Sequence, residues 1–141
     1  MLTSTARKMS NTLFVDTGYV IALINQTDQH HQQALQLSEQ YEGFPVITTD
    51  AILLEIGNAL SRIARREAAA IIHHFQTAPQ VTVIPLTPEL MTDALTLYAK
   101  HQDKTWGLVD CVSFVVMQNR HISVALAFDR HFIQAGFTLA G

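Results

Sequence analysis

A chain of 141 residues, 48% hydrophobic and 15% charged, has the apolar content for one packed core and too little length for two, and those proportions exclude disorder. A formal charge of −3 argues against binding nucleic acid through a broadly basic surface. No apolar run reaches the roughly 20 residues of a membrane span, and the single cysteine, Cys111, excludes an internal disulfide and a Cys-based zinc cage, so a reducing cytoplasm is the expected compartment.

Residues 1–11 read as a loose tail before a single domain over 12–141. Leu13-Phe14-Val15 is a short apolar strand ending at Asp16-Thr17-Gly18, and Tyr19 to Ile24 continues as a helix. Gln29 to Tyr41 reads as a polar surface helix and Val46-Ile47-Thr48 as a second strand. Helices follow over Ala51–Ala64 and Arg66–Gln76, then a β-branched run, Val81 to Ile84. Thr87-Pro88-Glu89 opens the helix Leu90–Lys100 with a hydroxyl cap, proline at the first helical position and an acid in the first turn. Gly107 to Asn119 is helical and apolar on nearly every side, hence buried. Ser123 to Phe128 reads as a strand, Arg130 to Ala135 as a short helix, and Phe137 to Leu139 as a last strand. Strands alternating with helices predict parallel crossovers and an α/β fold: a three-layer α/β/α sandwich with a central, mostly parallel sheet. In such folds ligands bind beyond the carboxyl ends of the strands.

Four acids fall where that crevice would receive them. Asp16 and Asp129 each follow a strand and also suit a helix N-cap. Glu55 lies at the border of the apolar arc formed by Ile52, Ile56, Ala59, Leu60 and Ile63 at about 100° per residue, where it either snorkels to water or meets a partner. Asp110 opens the buried helix, where an unpaired carboxylate costs several kcal/mol and the helix dipole returns about 0.3–1 kcal/mol; cations or backbone donors must supply the rest. Clustered anions repel one another unless cations bind, and oxygen ligands suit Mg2+ or Mn2+, one or two ions. Such a site activates water and braces a phosphodiester for in-line attack. Without these acids, nine basic residues face eight acidic ones, which removes the objection that charge raises to a nucleic-acid partner.

The stretches Leu13-Phe-Val-Asp16-Thr17, Leu53-Leu-Glu55-Ile-Gly-Asn-Ala-Leu60, Trp106-Gly-Leu-Val-Asp110-Cys-Val-Ser-Phe114, and Ala127-Phe-Asp129-Arg-His-Phe132 with Gly136-Phe137 resemble the PIN domain, most closely the VapC-type toxins of toxin–antitoxin pairs. The resemblance spans residues 12–139. It implies a metal-dependent endoribonuclease with Asp16, Glu55, Asp110 and Asp129 as catalytic and metal-binding residues, an RNA substrate, a cognate antitoxin and a homodimer. Related toxins often carry Ser at the position of Gly107, Thr at Val109 and a hydroxyl at Ala127; hydroxyls there would orient water or a carboxylate. Thr17 retains one.

Other residues divide between functional and structural readings. Arg62 and Arg66 lie near the Glu55 stripe and either guide phosphate or sit at a solvated helix end. His131 either touches a phosphate or packs; His30, His31, His73 and His74 lack metal spacing. Trp106 either stacks a base or anchors the buried helix, Cys111 is a small apolar filler, and Asp103 is structural. The rival to a nuclease is a PIN-like protein that binds RNA without cutting it, motivated by Gly107, Val109 and Ala127. A receiver or aspartyl-phosphate phosphatase lacks the acid pair it needs beside Asp16, and no GxGxxG or P-loop is present.

Overall fold

The computed structural model describes residues 11–141; the expected tail, Asn11 apart, lies outside the described residues. The strands are β1 (Leu13–Val15), β2 (Val46–Thr49), β3 (Val81–Ile84), β4 (Val124–Leu126) and β5 (Thr138–Leu139). The helices are α1 (Thr17–Ile24), α2 (His31–Gln40), α3 (Asp50–Leu60), α4 (Arg65–Thr77), α5 (Pro88–Lys100), α6 (Leu108–Asn119) and α7 (His131–Gln134). The strands form one five-stranded sheet in the order β3-β2-β1-β4-β5, and every pairing is parallel. Helices lie on both of its faces, giving the three-layer α/β/α sandwich.

The strand order fixes where a crevice opens. From β1 the chain winds outward through β2 and β3, then returns to the other side of β1 for β4 and β5. The winding reverses between β1 and β4, whose carboxyl ends flank a topological switch point. β1 is central and buried along its length, as expected of a strand with neighbours on both sides in a parallel sheet. Phe14 registers with Ile47 of β2 and Ala125 of β4.

Local chemistry sets several boundaries. Thr49 caps α3 by accepting from the Ile52 N–H at 3.2 Å, and Thr87 caps α5 by accepting from the Leu90 N–H at 3.1 Å with Pro88 at its first turn. α3 and β4 end earlier than the pattern predicts. α3 ends at Leu60, and Ser61 begins a turn before α4; the Ala64 N–H still donates to the Leu60 carbonyl at 2.9 Å, but the run of helical bonds is not continued. β4 ends at Leu126 because its partner β1 ends at Val15, leaving Ala127 and Phe128 as a buried and half-buried lead into Asp129.

A ring cluster ties the late elements to the sheet. Phe132 of α7 meets Phe14 of β1 at 6.2 Å and Phe114 of α6 edge-on at 5.2 Å. Trp106 packs edge-on against Phe114 at 5.1 Å, and its indole N–H donates to Gln134 at 2.9 Å. Trp106 therefore anchors the start of α6 and is not free to stack a base. Cys111 is fully buried, as a small apolar filler should be. Gly136, at φ 97°, makes the left-handed turn from α7 into β5 that a residue with a Cβ resists. Among the described residues no helix is long and apolar enough to cross a membrane.

Candidate active site

Asp16 follows β1 directly. Its N–H still donates to the Leu126 carbonyl of β4 at 3.1 Å, so the residue belongs to the ladder although α1 begins at Thr17. It holds the N-cap position of α1, yet its side chain makes no capping bond. The residue is 8% exposed. Burial, followed by the field of Asp110, pushes its carboxyl from 3.8 up to about 7; the Thr17 N–H offsets part of this, while Glu55 and Asp129 add to it. Asp16 thus feels all three other acids, and each raises its cost of ionisation.

Glu55 projects from α3 toward α1, where the Thr17 hydroxyl donates to its Oε1 at 2.6 Å. A helix-border glutamate has found a partner instead of snorkelling outward. Asp110 lies in the first turn of α6, and its Oδ2 accepts from the Gly107 N–H at 2.9 Å. This is one arm of a capping box. The structural reading of Asp110 is therefore partly realised, but one backbone donor leaves most of the carboxylate free for other partners.

Asp129 stands in the loop after β4. Its Oδ1 accepts from the His131 N–H at 2.9 Å, an Asx turn that starts α7. That turn brings the His131 ring inward. Its Nδ1 lies 3.2 Å from Asp110 Oδ2 and 3.2 Å from Asp129 Oδ2, and its Nε2 lies 3.1 Å from the Thr105 hydroxyl. One ligand atom from each of Asp110, Asp129 and His131 falls within 4.8 Å of the others. Among the described residues, no other set of three or more metal-ligating side chains is drawn so close.

The expected set of four acids is thus divided. Asp110 and Asp129 converge on His131, while Asp16 and Glu55 stand outside that triad, Glu55 held by Thr17. The sequence did not single out His131 as a link between two acids. The signal was present in the spacing Asp129-x-His131, but its meaning required Asp110 to arrive from α6. Arg62 and Arg66 are exposed, and among the described residues no lysine or arginine forms an ion pair with any of the four acids. Asp103 pairs with Lys104 at 3.3 Å away from them. The donor set is carboxylate oxygen with one imidazole nitrogen, beside a buried acid whose charged neighbours are anions. That set fits a hard or borderline divalent ion and has no thiolate to favour a soft one.

Comparison with known proteins agrees with this fold. The PIN domain family model matches residues 13–138. The 23S rRNA-specific endonuclease VapC20 of Mycobacterium tuberculosis is 32% identical over 125 residues, 89% of this chain and 95% of its own. The crystal structure of that protein, described as a Sarcin-Ricin loop cleaving toxin, superposes with a TM-score of 0.82 at 31% identity, covering 89% of this chain and 96% of its own. FitAcB from Neisseria gonorrhoeae shares the fold alone, at a TM-score of 0.65 and 11% identity over 92% of this chain and 96% of that one. A reversal of strand order with acids at its mouth and a match along nearly the whole sequence lead to one conclusion: the chain belongs to the PIN-domain family and is homologous to the VapC20 toxin.

Proposed function

We propose that this protein is a divalent-metal-dependent endoribonuclease, the toxin of a toxin–antitoxin pair, with Asp16, Glu55, Asp110 and Asp129 as its site residues and Mg2+ or Mn2+ as its cofactor. One observation carries the reading: a buried aspartate at the switch point of the sheet has three further acids as its charged neighbours and no lysine or arginine pair among the described residues. So much uncompensated negative charge is costly to hold unless a divalent cation neutralises it.

When bound, the ion supplies water activation and charge neutralisation at the scissile phosphate. The chain's own residues set the stage. Asp16 offers a rigid ligand at the end of the central strand, and Asp110 a second from the first turn of α6, with its Oδ2 held by the Gly107 N–H. Asp129 closes the other flank, its Oδ1 held by the His131 N–H. Glu55, oriented by the Thr17 hydroxyl, completes the acidic wall directly or through water. In-line displacement at phosphorus needs fixed positions and little motion, and these ligands sit on a strand end, two helices and a short turn tied to a ring cluster.

The homology supports RNA as substrate, with a structured ribosomal RNA loop as the first choice. It also supports a cognate antitoxin; the homodimer is part of the proposal on the family resemblance alone. Met91, Leu95 and Tyr98 recur along one side of α5 and are partly exposed, leaving apolar surface for a partner to cover.

The test is incubation of the purified chain, freed of any antitoxin, with 23S rRNA fragments carrying the sarcin–ricin loop and with unrelated transcripts. Cleavage with Mn2+ or Mg2+, abolished by chelation and strongly reduced by Asp110→Asn, is expected. Retention of RNA without cleavage under all metal conditions would replace the nuclease with an RNA-binding protein.

A further inference from the structure

His131 belongs to no part of the four-acid scheme, yet its ring lies between two members of it. We infer that His131 is itself a metal ligand through Nδ1, giving this site a nitrogen donor that favours Mn2+ over Mg2+. The inference rests on the metal-dependent reading above and adds the identity of one ligand and the metal it selects.

Three features of the geometry support it. Nδ1 stands 3.2 Å from Asp110 Oδ2 and 3.2 Å from Asp129 Oδ2. Adjacent corners of an octahedron with bonds of about 2.1 Å lie about 3.0 Å apart, so these atoms are spaced as neighbouring ligands of one ion. The far side of the ring is also engaged, with Nε2 lying 3.1 Å from the Thr105 hydroxyl oxygen. A ligating histidine usually donates its second ring N–H to an oxygen acceptor, which fixes the tautomer and directs the other lone pair at the metal. In the tautomer that carries the proton on Nε2 and donates it to Thr105, Nδ1 presents its lone pair to the two carboxylates' side.

Finally, the ring cannot easily turn away. The His131 N–H is tied to Asp129 Oδ1 at 2.9 Å, and the next residue, Phe132, is fully buried among Phe14 and Phe114. A purely packing histidine would bury its carbon edge and turn its nitrogens outward; here Nδ1 faces the oxygens of Asp110 and Asp129, and Nε2 that of Thr105.

An imidazole changes what the site prefers. Carboxylates and water suit Mg2+, whereas imidazole ligation gains with first-row transition ions, and geometry and ligand type set selectivity. Removing the ring should therefore weaken Mn2+ by at least about tenfold and leave Mg2+ nearly unchanged, and Thr105→Val should lower Mn2+ affinity in the same direction.

The experiment is pulsed electron paramagnetic resonance on the full chain loaded with Mn2+, alongside calorimetry with Mn2+ and Mg2+ for wild type, His131→Ala and Thr105→Val. A nitrogen coupling to Mn2+ in the wild type, absent in His131→Ala and altered by 15N-histidine, is expected. Bound Mn2+ without nitrogen coupling in the wild type would overturn the inference and leave the nuclease reading standing. Survival of the coupling or of the Mn2+ preference in a folded His131→Ala would overturn it as well. Failure of the wild type to bind either ion would remove both readings. The wild-type spectrum decides even if the variants fold poorly.

Discussion

The two flanks of the crevice solve the same electrostatic problem differently. On the β1–α3 flank, Asp16 is buried among other acids and Glu55 has one hydroxyl partner, Thr17. On the α6–β4 flank, Asp110 and Asp129 each hold a backbone N–H and share the His131 ring. Exposure differs as well: Asp129 is exposed, whereas Asp16 is buried. The first flank is rigid, dry and uncompensated; the second is wetter and carries its own nitrogen donor. Under the proposed metal-dependent reading, burial makes Asp16 the acid most dependent on a cation, and the imidazole makes the opposite flank the one that would select which cation.

The severest challenge to this contrast is to remove one charge while keeping shape. Asp110→Asn retains an acceptor for the Gly107 N–H and removes the anion nearest in effect to Asp16. If Asp110 holds the metal as proposed, its loss forfeits several kcal/mol of transition-state stabilisation, and RNA cleavage should fall about a thousandfold in single-turnover assays.

The pH dependence of stability isolates the dry flank. An acid raised from 3.8 to about 7 is protonated in the folded state where the unfolded chain has already ionised. The unfolded state then binds fewer protons, so the Asp16 contribution is present in full below about pH 4 and is lost as pH rises through about 7. The loss is of the order of a few kcal/mol. In urea denaturation of metal-free protein, wild type should lose stability relative to Asp16→Asn between pH 5 and pH 8, and added Mn2+ should restore it. A difference independent of pH would show that Asp16 does not carry the electrostatic strain.

A smaller effect separates the flanks further. Thr17→Val removes the hydroxyl that orients Glu55 and should weaken metal binding or cleavage by about 10–100-fold, with little change in melting temperature. The smallest change concerns the hydroxyl that relatives often have at position 107. A Cβ on Gly107 would meet Asp110 Oδ2 at 3.6 Å, ordinary contact, and the backbone there, φ −76° and ψ 165°, suits a serine cap. Gly107→Ser should raise stability by a few tenths of a kcal/mol in thermal denaturation.

Much of this was legible along the chain. The β-branched run Val81–Ile84 and the Thr87-Pro88-Glu89 helix opening appear where the pattern places them, because caps and period-two runs act within a few residues. Asp16 and Asp129 could be nominated because strand ends are local features too. The extent of β4 could not be read, because strand length depends on a partner about 110 residues earlier in the chain; Ala127 and Phe128 look like strand until β1 runs out. His131 was hidden for a related reason. Its neighbours within the motif disclose the Asx turn, whereas its contacts with Asp110 and Thr105 join separate segments.

Residue order was enough to dictate the alternation of strands and helices and the burial of the Leu108–Asn119 helix, and to nominate the acids, since periodicity, capping and charge are written residue by residue. Which acids share a partner was settled only by folding. The strand order β3-β2-β1-β4-β5 sets the carboxyl ends of β1 and β4 side by side, and the ring packing of Phe14, Phe114 and Phe132 docks α7 against α6. Through-space electrostatics and ligand geometry depend on distances of a few ångströms, and those distances exist only once the chain has folded.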